Sequence, residues 1–160
     1  MRQLLLLRHA QAEPAHAGGV DHDRPLTPRG RAEALEAGRC IAAAELRCQA
    51  LFVSPAVRTR ETADIVAATL QLDRPPHFEP SFYLGDADAL LAPLAALSGR
   101  IATLLLIAHN PGISELAQRF WRTAPPLELR TAGLCLVSFV AGTTWAELQP
   151  KRVQGIRLLR

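Results

Sequence analysis

Two histidines and two arginines stand at or just beyond the ends of apolar runs, and a third arginine lies in a loop between them. Leu4-Leu5-Leu6-Leu7 ends in Arg8-His9, and Thr103-Leu104-Leu105-Leu106-Ile107-Ala108 ends in His109-Asn110-Pro111. Leu51-Phe52-Val53 leads through Ser54-Pro55 to Arg58, and Arg24 precedes Pro25-Leu26-Thr27-Pro28. These residue types suit one kind of chemistry. A neutral imidazole can attack phosphorus, guanidiniums can hold equatorial phosphoryl oxygens in bidentate fashion, and a second imidazolium can stabilise charge that builds in the transition state. The set is rich in cations and poor in thiol or serine nucleophiles, and the chemistry needs no metal.

For these side chains to meet, the elements that carry them must share an edge. Short apolar runs bounded by polar residues read as buried parallel strands, and in open α/β sheets ligands bind outside the carboxyl ends of such strands. Residues 10–26 lack periodicity and hold Pro14, Gly18, Gly19 and Pro25, so they form a loop over the strand ends. His16, Asp21, His22 and Asp23 fall in that loop and read as solvated residues rather than metal ligands, since nothing fixes their geometry. Arg24 lies where the loop re-enters the fold, beside the anion site.

Thr27 can cap a helix that Pro28 begins and that runs to about Leu46, with Leu35, Gly38, Ile41 and Ala42 on one stripe. Ser54-Pro55 repeats that grammar for a second helix, from Pro55 to about Leu70. There Arg58 shares a face with Thr62, Ile65, Val66 and Thr69, so it turns inward. A cation in the first turn opposes the helix dipole by up to about 1 kcal/mol unless an anion compensates. Such a local violation marks a candidate site residue.

Pro75, Pro76 and Pro80 confine any strand in residues 73–82 to a short edge piece. Ala87 to Leu97 reads as a helix that Pro93 can kink, with Asp86 and Asp88 in its first turn. Asp86 and Glu79 are the candidate proton donors. Asn110 can cap, and Pro111 can begin, a helix through Ile113, Leu116, Ala117 and Phe120, which sets His109 near a helix N-terminus that favours anions. Leu134 to Val140 and Thr143 to Leu148 read as a closing pair of strands, and the tail with Lys151, Arg152, Arg157 and Arg160 as a solvated or frayed basic end. The elements predict a three-layer α/β/α fold with a mostly parallel, doubly wound sheet and convergence of the site on one edge.

At 160 residues the chain is predicted to be one domain, residues 1–160, able to bury a sizeable core. Hydrophobic residues at 49% and charged residues at 21% exclude disorder. The net charge of +3 draws acidic partners, yet Lys occurs only at position 151 and aromatics are 5%, a poor surface for nucleic acid. Cys40, Cys48 and Cys135 are odd in number and lack ligand spacing, which points to reduced thiols and a cytoplasmic protein. The leucine run after Met1-Arg2-Gln3 mimics a signal peptide, but Arg8 interrupts it, and no later run reaches membrane-spanning length.

Leu-Arg-His at the start, Arg24-Pro25-Leu26-Thr27 with Gly30, Ser54-Pro55 followed by Arg58 and Glu61-Thr62, and Ala108-His109-Asn110-Pro111 together resemble the histidine phosphatase superfamily, also called phosphoglycerate mutase-like. The short length and the Arg-Pro-Leu-Thr segment look most like its SixA-type phosphohistidine phosphatases. The resemblance implies a phosphoglycerate mutase-like fold, no cofactor and a two-step mechanism. His9 would be phosphorylated by the substrate and then hydrolysed by water, with Arg8, Arg58 and His109 forming the phosphate pocket, Arg24 at its rim and Asn110 beside it.

The chain departs from the wider family at Ala10, where Gly usually follows the catalytic His, and in having no clear Glu acid between Glu79 and Asp88. A weak acid fits a phosphoramidate, because imidazole leaves with less help than an alkoxide. Little chain is left for a lid, which fits an open pocket admitting a phosphorylated protein side chain, such as that of a histidine phosphotransfer domain. The alternatives are a general phosphatase for sugar or nucleotide phosphate esters with Asp86 as acid, a phosphate-binding module without turnover, and, most distant, a metalloprotein built on His9, His16, His22 and His109.

Overall fold

A computed structural model describes all 160 residues. Six strands, β1 (Gln3–Arg8), β2 (Ala50–Val53), β3 (His77–Phe78), β4 (Thr103–Ala108), β5 (Leu134–Phe139) and β6 (Val153–Leu158), form one sheet in the order β3-β2-β4-β1-β5-β6. β1 and β4 run parallel, from Gln3 opposite Thr103 to Arg8 opposite Ala108, and β2 and β3 continue the parallel half. β5 and β6 close the other side antiparallel.

The unbroken leucine run of β1 follows from burial on both faces. Leu4 and Leu6, with Leu104 and Leu106, face one core shared with α3 (Ala87–Leu91) and α4 (Gly112–Phe120). Leu5 and Leu7, with Leu105 and Ile107, face the other, shared with α1 (Pro28–Ala43) and α2 (Val57–Leu70). Helices on both faces of a largely parallel sheet make the three-layer α/β/α architecture.

Thr27 caps α1 as its type predicts, its hydroxyl accepting from the Gly30 amide at 2.9 Å. The buried stripe of α1, however, is Ala34, Ala37, Gly38 and Ile41, and Leu35 is 37% exposed. The reason is the neighbouring helix: Gly38 lies against Thr69 of α2, and that close approach turns the small residues inward.

Three further readings are corrected by the structure. α2 starts at Val57 on Ala56, with no side-chain cap, because Ser54 is engaged elsewhere. Asn110 does not cap α4, which opens on Pro111; its amide is tied to another segment. β5 pairs with β6 and not with residues 143–148, where Trp145–Glu147 forms a 3₁₀ turn that buries Trp145 in the core. The basic tail is therefore largely an edge strand, ending in Arg160, whose guanidinium donates to the carbonyls of Thr131 and Ala132. Its sequence hides this because an edge strand with Gly155 at its middle carries little apolar alternation.

Candidate active site

The ends of β1, β2 and β4 and the loop before α1 converge on one cavity of about 430 Å³. Arg8, His9, Arg24, Arg58, His109 and Asn110 all line it, together with Asp21. The topology explains the convergence, since β2, β4 and β1 are adjacent and parallel, so their carboxyl ends fall on one edge.

His9 follows directly on β1 and is 9% exposed. Its Nδ1 lies 2.8 Å from the Ala10 carbonyl oxygen. A carbonyl only accepts, so Nδ1 carries the proton and Nε2 keeps a lone pair. Burial, helped by the guanidiniums of Arg58 and Arg8, outweighs the Ala10 contact and lowers its pKa to about 4. Near neutral pH the ring is uncharged, with its free nitrogen fixed.

His109 is 2% exposed, and its ring centroid lies 5.1 Å from that of His9. Burial first, then His9 and Arg58, lower its pKa to about 3, against the opposing pull of Asp21. Its Nε2 lies 2.7 Å from the hydroxyl of Ser54, at the end of β2, while its Nδ1 has no partner in the protein.

Arg58 is 2% exposed in the first turn of α2, as the inward face predicts, and the anion that compensates it belongs to the chain. Its Nη1 donates to the Asp21 carbonyl at 2.7 Å and its Nη2 to Asp21 Oδ2 at 3.1 Å. Arg24 donates from Nε and Nη2 to Asp21 Oδ1, at 2.9 and 2.7 Å, and Tyr83 donates its hydroxyl to Asp21 Oδ2 at 2.7 Å. The Tyr83 hydroxyl, with Arg24 and Arg58 behind it, holds the Asp21 carboxyl far below the usual carboxylate range. Tyr83 also sets its ring edge-on to His109 at 5.6 Å.

Arg8 donates from Nη1 to the Leu129 carbonyl at 3.0 Å, the same oxygen that receives the Asn110 amide at 3.1 Å. Ser114 completes this brace, donating to Asn110 Oδ1 at 2.6 Å and accepting from the Leu129 amide at 2.9 Å. Arg8 and Asn110, more than a hundred residues apart in sequence, are thus held by one carbonyl.

The two candidate proton donors fare differently from the cations. Asp86 is exposed, caps α3 by accepting from the Ala89 amide at 2.9 Å, and does not line the cavity. Glu79 accepts from Ser81 and lies 3.5 Å from His77, also away from the cavity. Conversely, Asp21, read as a solvated loop residue, is a central partner of the site. Tyr83 carries no reading in the sequence, where the surrounding prolines mask any signal, and Ser54 reads there as a helix cap and motif residue rather than as a partner of His109. His9, His16, His22 and His109 do not gather with other groups into a metal-ligand set.

A pocket with two neutral imidazoles, three guanidiniums and one ionised carboxylate is suited to a phosphoryl group. The family model of the histidine phosphatase superfamily (branch 1) matches residues 4–82. An uncharacterized protein of Picosynechococcus is 30% identical over 135 residues, 82% of each chain. Phosphohistidine phosphatase SixA of Escherichia coli is 26% identical over 138 residues, 85% of this chain and 84% of its own. A structure assigned as phosphohistidine phosphatase SixA from Nakamurella multipartitia, 28% identical, matches with a TM-score of 0.77 over 98% of this chain and 95% of that one. Mycobacterial glucosyl-3-phosphoglycerate phosphatase, 16% identical, shares the fold with a TM-score of 0.67 over 99% and 97%.

The chain belongs to the histidine phosphatase superfamily, with its phosphoglycerate mutase-like fold. Within it, the chain is a phosphatase whose relatives in sequence and structure include SixA. No helix is long and apolar enough to cross a membrane.

Proposed function

We propose that this protein, acting as one domain, dephosphorylates phosphohistidine in a protein substrate through a covalent phosphohistidine on His9. The observation that carries the reading is the fixed tautomer of His9: with Nδ1–H held by the Ala10 carbonyl, a neutral Nε2 faces a cavity lined by Arg8, Arg24 and Arg58. Nε2 attacks phosphorus, the bond to the leaving imidazole breaks, and that imidazole recovers a proton from solvent. Water then attacks the phosphorus on His9, yielding inorganic phosphate and the free ring. Arg8 and Arg58 hold the non-bridging oxygens, Arg24 stands at the rim, Asn110 braces the Arg8 side through Leu129, and His109 supports the phosphoryl group opposite His9.

The electrostatics favour a phosphoramidate over an ester. Asp21 is the carboxylate in the cavity wall, and it is ionised and fully hydrogen-bonded, so it has no proton to give near neutral pH. An alkoxide leaving group needs such a proton far more than imidazole does. The likeness to the Escherichia coli phosphohistidine phosphatase points the same way. Sugar or nucleotide phosphate esters are the second reading, favoured by the fold shared with glucosyl-3-phosphoglycerate phosphatase. Three free cysteines, two of them half-buried, support a reducing, cytoplasmic setting.

The test is an acid and a base quench with labelled phosphohistidine peptide. Label on His9 in an acid-labile, base-stable form is the expected result; label on another residue overturns the mechanism. Turnover of small phosphate esters far above that of the peptide overturns the substrate class, and stoichiometric phosphate binding without release would leave a binding module.

A further inference from the structure

We propose that Ser54 is a positioning residue that fixes the tautomer of His109, so that His109 meets the phosphoryl group as a neutral donor through Nδ1. Ser54 is fully buried, and its hydroxyl has one hydrogen-bond partner, His109 Nε2 at 2.7 Å. A hydroxyl has a single proton to place, and a buried donor left unpaired is costly. If Nε2 carried the ring proton it would donate to Ser54 Oγ, and the hydroxyl proton would be stranded. With the hydroxyl donating, Nε2 is bare and the Ser54 hydroxyl is satisfied, so one polar group of the pair is left unpaired where the other tautomer leaves two. The one proton of the neutral ring then resides on Nδ1, which is buried in a residue of the cavity wall and has no partner in the protein, a donor that a bound phosphoryl oxygen would satisfy.

The same geometry opposes the imidazolium. A second proton would have to sit on Nε2, against the Ser54 hydroxyl. The charged groups around the ring act mostly in the same sense: His9 and Arg58 disfavour added positive charge, as does His22 when protonated, and Asp21 alone favours it. The site therefore divides its labour. The arginines supply charge to the phosphoryl oxygens, and His109 supplies a directed N–H without placing a cation 5.1 Å from the nucleophilic ring, where it would draw electron density from His9.

This inference rests on the reading of His9 as nucleophile only for its catalytic consequence; the tautomer is testable without turnover. Two-bond proton–nitrogen NMR of protein labelled with ¹⁵N-histidine, with His109 assigned through a His109→Gln variant, reads it directly. In the unaltered protein near neutral pH, His109 should show a protonated Nδ1 and a bare Nε2, and inorganic phosphate should shift Nδ1 without protonating Nε2. Ser54→Ala should move the ring toward the Nε2–H form and lower kcat by about 10- to 100-fold with KM little changed, and Ser54→Thr, which keeps the hydroxyl, should restore both. An Nε2–H ring or an imidazolium in the unaltered protein overturns the proposal, as does an unchanged tautomer in a folded Ser54→Ala protein. If the tautomer is as stated but His9 takes no label, the catalytic reading fails and the Ser54 assignment stands.

Discussion

Asp21 accepts hydrogen bonds from Arg24, Arg58 and Tyr83 at once, and this one carboxylate therefore sets how two of the three pocket guanidiniums point. The directional demand is strongest at Arg58, whose two terminal nitrogens are both engaged while its side chain is almost wholly buried. Lysine carries the charge but not the fork. Arg58→Lys is accordingly expected to lower kcat/KM by about 10²- to 10³-fold, the scale of losing one oriented donor to a transition-state oxygen, with steady-state kinetics on phosphohistidine peptide as the check. Asp86 offers the contrasting case, because its carboxylate is spent on the Ala89 amide. Asp86→Ala should leave kcat within about twofold while costing about 1 kcal/mol of stability as a lost cap; a large drop in rate with stability unchanged would restore it as a proton donor.

Among the elements, α1 and α2 are packed against each other with little slack. A Cβ on Gly38 would stand 2.8 Å from the Cβ of Thr69, and that atom is anchored to the backbone of α2. Replacing glycine by alanine inside a helix gains about 1 kcal/mol in propensity. Overpacking costs about 1–3 kcal/mol. Because Thr69 cannot swing away, the clash should win, and Gly38→Ala is expected to lose about 1 kcal/mol in urea unfolding, with kcat of the folded protein unchanged. α2 also carries Arg58, so an unchanged rate would show that the helix shifts along its length without moving its first turn. A gain in stability would mean that the two helices separate freely.

At the scale of the whole molecule, the two buried neutral imidazoles link stability to pH. Their folded pKa values, about 4 for His9 and about 3 for His109, lie below the ordinary value of 6.5. Above pH 6.5 neither folded nor unfolded chain binds these protons, so their stabilising effect is fully present there. As pH falls from 6.5 toward 4 the unfolded chain takes up protons that the folded one refuses, and stability drops by up to about 1.4 kcal/mol per pH unit for each histidine. Asp21, whose pKa is also depressed, adds a further loss only at lower pH. Urea midpoints measured between pH 7 and 4 should fall steadily, more steeply than in a His9→Gln, His109→Gln double variant; parallel curves would refute the neutral-imidazole picture. Inorganic phosphate should raise the midpoint at every pH by mass action.

The amino-acid sequence by itself determined the framework and the cations. The leucine runs of β1 and β4, each buried on both faces and each ending in a histidine, are local patterns, as is the inward face that carries Arg58, and the rule that parallel strands present their carboxyl ends to one edge does the rest. Tertiary structure decided the partners. Asp21 meets Arg58 across 37 residues and Tyr83 across 62, and Ser54 meets His109 across 55. Nothing in the residues beside Asp21 or Ser54 distinguishes a solvated carboxylate from an anchor, or a helix cap from a hydroxyl that orients a ring. The same holds for the tail, which becomes a strand because the edge of β5 is open to it. Periodicity is written in neighbours along the chain, whereas a hydrogen-bond partner brought from a distant segment exists only once the chain has closed on itself.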